Sequence, residues 1–290
     1  MSVPIPKFVH LNGRLLAASR AQISVFDRGL LYGDGLFETL RAYKGRPFGL
    51  HEHLSRLQTS ASFLGIALPH QPWQKDIAVL LQRNKLLGTD AWVRITLTRG
   101  VAAPGLLPPS RIHPTVIISA GPLDPTIAKA QRRGAQVALL PFARYGVLAE
   151  HKILNYLPAV LGKVIAARHG AFEGLFVDAD GLVTEGTTSN IFVWRHMQLI
   201  APPTGGILPG LTRRLVMEAA TADGLRVTER PLTTHDLLDA DEAFITSSLA
   251  EVVPIIAVDA RSIGNGQVGP RTQRMQRLYR QMVDHALARR

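Results

Sequence analysis

Apolar positions along the chain repeat with two periods, and the change from one to the other marks out its elements. Residues 8–17 alternate around an Asn12-Gly13 pair and predict a β-hairpin. A strand is predicted through Leu36-Phe37-Glu38-Thr39-Leu40-Arg41-Ala42-Tyr43, after Gly33-Asp34-Gly35 and before a Lys44-Gly45 turn. The period then lengthens: Leu54, Leu57, Ala61 and Leu64 recur at helical spacing over 51–65, and a second helix is expected over 72–87. Strands at 92–98 and 114–120 flank the Pro- and Gly-rich stretch 100–110.

Residues 121–134 read as a link holding a short helix. The expected organisation is a small domain over 1–121, a linker over 122–134 and a larger domain over 135–290. In the larger part the pattern predicts strand 135–141, helix 155–169, strand 172–178 and strands on either side of Glu185. Helix 211–223, strand 225–230, strand 242–247 and an amphipathic helix near 271–288 follow. Strands and helices mix without the regular alternation of a doubly wound sheet, so the fold class is α+β.

Composition narrows the function. The 290 residues are 46% apolar, enough for one large or two moderate cores. There is no cysteine, which excludes disulfides and thiolate metal sites and suits a reducing cytoplasm. The start carries no apolar run of signal-peptide length, and no stretch of eighteen apolar residues offers a membrane span. The formal charge of +11 invites a nucleic-acid reading. However, the basic residues are scattered as short doublets such as Arg132-Arg133 and Arg213-Arg214, without interleaved aromatics. A basic surface that gathers small anionic ligands accounts for the charge without nucleic acid. His51 and His53 stand two apart, on different faces of a helix, so no metal site is expected.

The chemistry concentrates around Lys152, in Glu150-His151-Lys152-Ile153-Leu154-Asn155-Tyr156-Leu157-Pro158, and around Glu185, in Val183-Thr184-Glu185-Gly186-Thr187-Thr188-Ser189-Asn190. A lysine ahead of an apolar helix, then an acid on a strand-turn-strand unit, is what a pyridoxal phosphate enzyme needs. The amine binds the cofactor and the carboxylate keeps its pyridine nitrogen protonated. Gly205-Gly206-Ile207-Leu208-Pro209-Gly210-Leu211-Thr212 places small residues at a helix start, where free N–H groups suit a phosphate. A flexible loop with ordinary capping would read the same way. Thr246-Ser247-Ser248 offers further small donors, and Arg56 could clamp a phosphate bidentately.

These segments together resemble the class IV, or fold type IV, pyridoxal phosphate-dependent aminotransferases, a group that includes branched-chain and D-amino acid aminotransferases and 4-amino-4-deoxychorismate lyase. The resemblance covers nearly the whole chain. It rests on Tyr32-Gly33-Asp34-Gly35-Leu36-Phe37-Glu38, the helix with Arg56, the Lys152 segment, Glu185-Gly186 through Phe192, and Gly210-Leu211-Thr212 with Ser247-Ser248. It implies a small α/β domain and a larger pseudobarrel domain in a homodimer. Lys152 would be the Schiff-base lysine and Glu185 the partner of the pyridine nitrogen. Arg56, Leu211, Thr212, Ser247 and Ser248 would hold the phosphate, and Tyr156 the phenolic oxygen. The implied partners are a small-molecule amino donor and a 2-oxo acid acceptor.

Features of several members coexist. Thr233-Thr234-His235 resembles the D-amino acid enzymes, but Thr98-Arg99-Gly100 is followed by Val101-Ala102-Ala103, without the Arg-x-His carboxylate trap of that group. Strands 92–94 and 40–43 resemble the branched-chain enzymes. They make Arg94 and Arg41 candidates for the substrate carboxylate, with Leu249 supplying an amide. Tyr32 and Phe37 join them as substrate-side residues. Thr39 resembles the lyases. Transamination is the leading expectation and pyruvate release by the lyase the alternative.

Overall fold

The computed structural model describes residues 4–144 and 146–288, and they fall into two compact units. The first runs to Asp124 and takes back His151–Asn155; the second comprises Pro125–Glu150 and the chain from Tyr156 onward.

The first unit contains β1 (Phe8–Leu11), β2 (Arg14–Ala17), α1 (Arg28–Tyr32), β3 (Gly35–Tyr43), β4 (Arg46–Pro47), α2 (Leu50–Leu64), α3 (Trp73–Arg83), β5 (Ala91–Thr98) and β6 (Thr115–Pro122). They form one antiparallel sheet in the order β2-β1-β6-β5-β3-β4. Asn12 and Gly13 both take positive φ, 49° and 76°, as the tight hairpin turn requires. Helix α3 stops at Arg83, short of the expected 87. The Asn84 side chain leaves the helix for β1, accepting from the Lys7 and Phe8 amides and donating to the Phe8 carbonyl. One face of the sheet is core: Leu36, Leu40, Val93, Ile95 and Ile118 pack with Leu57, Ala61, Ile77 and Leu80 of α2 and α3. Strand side chains alternate, so Phe37, Thr39 and Arg41 stand on the other face. Their partners across β5 are Thr96, Arg94 and Trp92.

The second unit contains α4 (Pro125–Arg133), β7 (Ala135–Leu140), α5 (Leu157–Arg168), β8 (Glu173–Val177), β9 (Val183–Gly186), β10 (Asn190–Arg195) and β11 (Gln198–Ala201). It continues with α6 (Leu211–Ala222), β12 (Arg226–Glu229), α7 (Thr234–Leu238), β13 (Glu242–Ser247), β14 (Glu251–Val258), β15 (Arg261–Ser262) and α8 (Pro270–Ala288). The mixed sheet runs β12-β11-β10-β13-β14-β7-β8-β9, with β15 on β14. A turn closed by the Gly186 N–H to the Ser189 carbonyl (2.6 Å) leads the edge strand β9 straight into β10, so the sheet curls. Val137, Leu175, Ile191, Val193, Ile245 and Val253 fill its core. Glu185 lies within β9, not between two strands. Strands β4, β11, β14 and β15 and helices α1 and α7 were not legible in the pattern. Helix α7 explains Thr233-Thr234-His235: Thr233 is its N-cap, in a capping box with Asp236. Among the described residues no helix is long and apolar enough to cross a membrane.

Candidate active site

Lys152 joins the first unit as part of an added strand. The Phe37 N–H donates to the Lys152 carbonyl and the Leu154 N–H to the Gly35 carbonyl, each at 2.9 Å, with Ile153 antiparallel to Leu36. Ile153 packs on the core, which turns Lys152 to the opposite face. There its Nζ lies 4.5 Å from the centroid of Phe37. Two glycines permit this docking. A Cβ on Gly35 would lie 2.4 Å from the Leu97 carbonyl oxygen and 2.7 Å from Leu154 Cδ1, and Gly33 takes a φ of 65° against the Asn155 backbone. His151 anchors the segment from its other side, 3.0 Å from Ser60 Oγ and stacked on Phe63.

Arg94 covers the same phenyl ring, its guanidinium 3.7 Å from the centroid, while its Nε donates to Thr96 Oγ1. Thr39 is the register partner of Arg94. Lys152, Phe37, Thr39 and Arg94 are therefore brought together on one face.

Other candidates are engaged elsewhere in this unit. Arg41 is buried and paired with Asp90 at 2.6 Å, so its fork already holds a carboxylate. The Tyr32 hydroxyl accepts the Gly105 N–H at 2.8 Å and ties down the 100–107 loop. Arg56 sends Nε and Nη2 to the two oxygens of Glu38, at 2.7 and 2.8 Å, and His53 donates to the same carboxylate at 2.7 Å. Burial alone would raise the Glu38 pKa, but the Arg56 charge and the hydrogen bonds from His53 and Arg56 hold it at about 2.

The second unit carries the remaining set. Glu185 is buried on β9; Arg144 Nη1 lies 3.3 Å from its Oε1, and the Leu208 N–H donates to Oε2 at 3.2 Å. Tyr156 is the residue before α5, and its hydroxyl donates to the Thr187 carbonyl at 3.2 Å. The three residues after Gly186 are held from beneath: the buried Glu173 carboxylate accepts from Thr187, from Thr188 at 2.8 Å and from Ser189 at 3.2 Å.

Helix α6 begins at Leu211 after Gly210, with no side chain capping its first turn. A Cβ on Gly210 would fall 2.0 Å from Asn190 Oδ1, so a larger residue there would displace the Asn190 side chain. Asn190 pairs across the sheet with Thr246, whose buried Oγ1 has no hydrogen-bond partner among the described residues. An uncapped helix start beside an unsatisfied buried hydroxyl is a donor set that fits a phosphate. Ser247 ends β13, and Ser248, Leu249 and Ala250 form the turn into β14, closed by the Ala250 N–H to Ser247 Oγ at 3.2 Å. Sequence reasoning missed Glu38, Arg144 and Glu173. Each acts through a partner distant in the chain, and spacing gives no sign of such partners.

The family model for class IV amino-transferases matches residues 35–258. A Methanocaldococcus jannaschii protein provisionally named branched-chain-amino-acid aminotransferase is 40% identical over 94% of this chain and 95% of its own length. The D-alanine aminotransferase of Bacillus licheniformis is 35% identical (92% of this chain, 94% of its own). The aminodeoxychorismate lyase of Bacillus subtilis is 31% identical (96% of each). Among solved structures, the branched-chain amino acid aminotransferase of Escherichia coli superposes with a TM-score of 0.87 at 29% identity, covering 96% of this chain and 95% of that one. A family match across most of the chain and relatives aligned over nearly their full lengths lead to one conclusion: this chain belongs to the class IV aminotransferase family.

Proposed function

We propose that the protein is a pyridoxal phosphate-dependent transaminase moving an amino group between an amino acid or amine and a 2-oxo acid. The observation that carries this reading is the placement of Lys152: its main chain is pinned to β3 while its amine reaches over Phe37, beside Arg94. Bound pyridoxal phosphate would supply the electron sink that stabilises negative charge at the donor Cα. Lys152 Nζ would be its covalent anchor and, once released, the base that takes the donor Cα proton and delivers it to the cofactor carbon rather than back to Cα. Glu185, buried and held by Arg144 and the Leu208 amide, would hold a proton on the pyridine nitrogen. The Leu211 and Thr212 amides, Ser247, Ser248 and Arg56 hold the phosphate. Tyr156, whose hydroxyl can turn away from the Thr187 carbonyl, would donate to the phenolic oxygen. Arg94 and the Leu249 amide receive the substrate carboxylate, Arg94 standing on the same face as the Lys152 amine.

A homodimer is part of this reading. Leu157, Val160, Leu161 and Val164 leave an apolar stripe exposed along α5, at helical spacing, which a second copy would cover. The absence of cysteine is in keeping with a cytoplasmic enzyme.

Thr39 sustains the lyase as a second reading, because its place beside Phe37 and Arg94 puts a hydroxyl on the Lys152 face. The visible spectrum of the purified protein separates the two. A yellow protein that bleaches with an L-amino acid, a D-amino acid or an (R)-amine, and regains colour with a 2-oxo acid, establishes transamination and its donor. A yellow protein inert to all donors that forms pyruvate from aminodeoxychorismate assigns the lyase. A colourless protein that pyridoxal phosphate cannot reconstitute overturns both.

A further inference from the structure

The second unit carries a cavity whose lining includes none of the residues assigned above. About 590 Å³ in volume, it is lined by α4, α8 and the start of β14, a size typical of small-molecule sites. Its charged lining is Arg132 from α4, Arg277 and Arg280 from α8, and Glu251 from β14. Three cations and one anion leave a net +2. Arg280 is paired with Glu251 at 3.2 Å. Arg132 and Arg277 have no carboxylate partner among the described residues, so the net charge is theirs.

The wall is built rather than merely open. Glu251 is buried, and its φ of 57° is unusual for a residue with a side chain. Gln131 holds it there, donating to both the Ala250 carbonyl (2.8 Å) and Glu251 Oε2 (3.1 Å). Gln276 donates in turn to the carbonyls of Gln131 and Val252, at 2.9 and 3.1 Å. Held in this way, Glu251 keeps Arg280 at the wall as part of a neutral pair. Arg132 and Arg277 remain to receive an anion, and guanidinium forks match the oxygens of a phosphate.

We infer that this cavity is a second ligand site, taking a small metabolite that carries a phosphate monoester. The dianion balances the net charge of the lining. The volume exceeds that of a bare phosphate, and the organic remainder would lie along the glutamine amides.

The test is calorimetric titration and thermal shift of the protein, saturated with pyridoxal phosphate so that the proposed cofactor site is filled. Glycerol 3-phosphate and ribose 5-phosphate are the probes, with succinate at matched ionic strength for comparison. Saturable binding of at least one ester is expected, weakened at least about tenfold in an Arg132→Gln/Arg277→Gln double variant whose basal activity is unchanged. A tenfold loss is what removing one charge-assisted contact of about 1.4 kcal/mol produces. Three results would overturn the inference: no saturable binding by either ester, binding that the double variant retains, or equal binding of succinate.

Discussion

Replacing Glu38 with glutamine tests how the first unit holds Arg56. The Glu38 side chain is 1% exposed and accepts three hydrogen bonds, two from Arg56 and one from His53. Glutamine keeps a single acceptor oxygen, and whichever way its amide turns, the NH2 group meets a donor. The Arg56 guanidinium loses this counter-charge while remaining largely buried. Removing one member of a buried pair destabilises a protein by about 3–5 kcal/mol. The same contacts make the stability depend on pH. The Glu38 pKa of about 2 lies below the ordinary 4.5. Stability from such a depressed carboxyl is fully present above pH 4.5 and is lost as the pH falls toward about 2. Urea titrations of the wild type and Glu38→Gln, followed by tryptophan fluorescence, should show a gap of about 3–5 kcal/mol near neutral pH that narrows steadily below about pH 4. A gap under about 1 kcal/mol, the worth of an exposed pair, or one that does not narrow in acid, refutes the reasoning.

Three further outcomes follow from the same geometry. Lys152→Ala should fold normally, because the docking of its segment is made by backbone atoms, yet lose at least about 10³-fold in turnover; near-normal activity would sink the assignment of Lys152. Gly35→Ala puts a methyl group 2.4 Å from the Leu97 carbonyl oxygen. It should destabilise by about 1–3 kcal/mol in thermal melts and release bound cofactor faster, whereas unchanged stability would mean that β5 yields freely. Glu173→Ala strands the hydroxyls of Thr187, Thr188 and Ser189. It should lower stability by about 2–4 kcal/mol and raise the concentration of pyridoxal phosphate needed for half-reconstitution, and an unchanged requirement would show that the turn keeps its shape unaided.

Much of the fold was legible because local signals and tertiary packing agree. The Asn12-Gly13 turn demanded positive φ at both residues, and the 51–65 helix showed its buried stripe in Leu57 and Ala61. Disagreement arose where a distant partner overrode the local pattern. Helix α3 is cut short by Asn84 reaching back to β1. Strand β14 was missed because its run Val252-Val253-Pro254-Ile255-Ile256 has no alternation: it is buried on both sides and carries a proline.

The candidate site divides along the same line. Residues whose proposed role depends on a backbone conformation left a mark in the sequence, since glycine at 33, 35 and 210 answers a positive φ or a close approach. Residues that act through another side chain left none. Glu38, Arg144 and Glu173 read as ordinary charges until the fold sets them against Arg56, Glu185 and the Thr187–Ser189 turn. These are also the groups that fix where a charge sits: a buried carboxylate beneath one arginine, a half-buried arginine beside one carboxylate. Sequence motifs therefore point to the chemistry available in this chain, while the preorganisation that chemistry depends on is carried by pairs 18 and 41 residues apart, a separation at which no motif can record them.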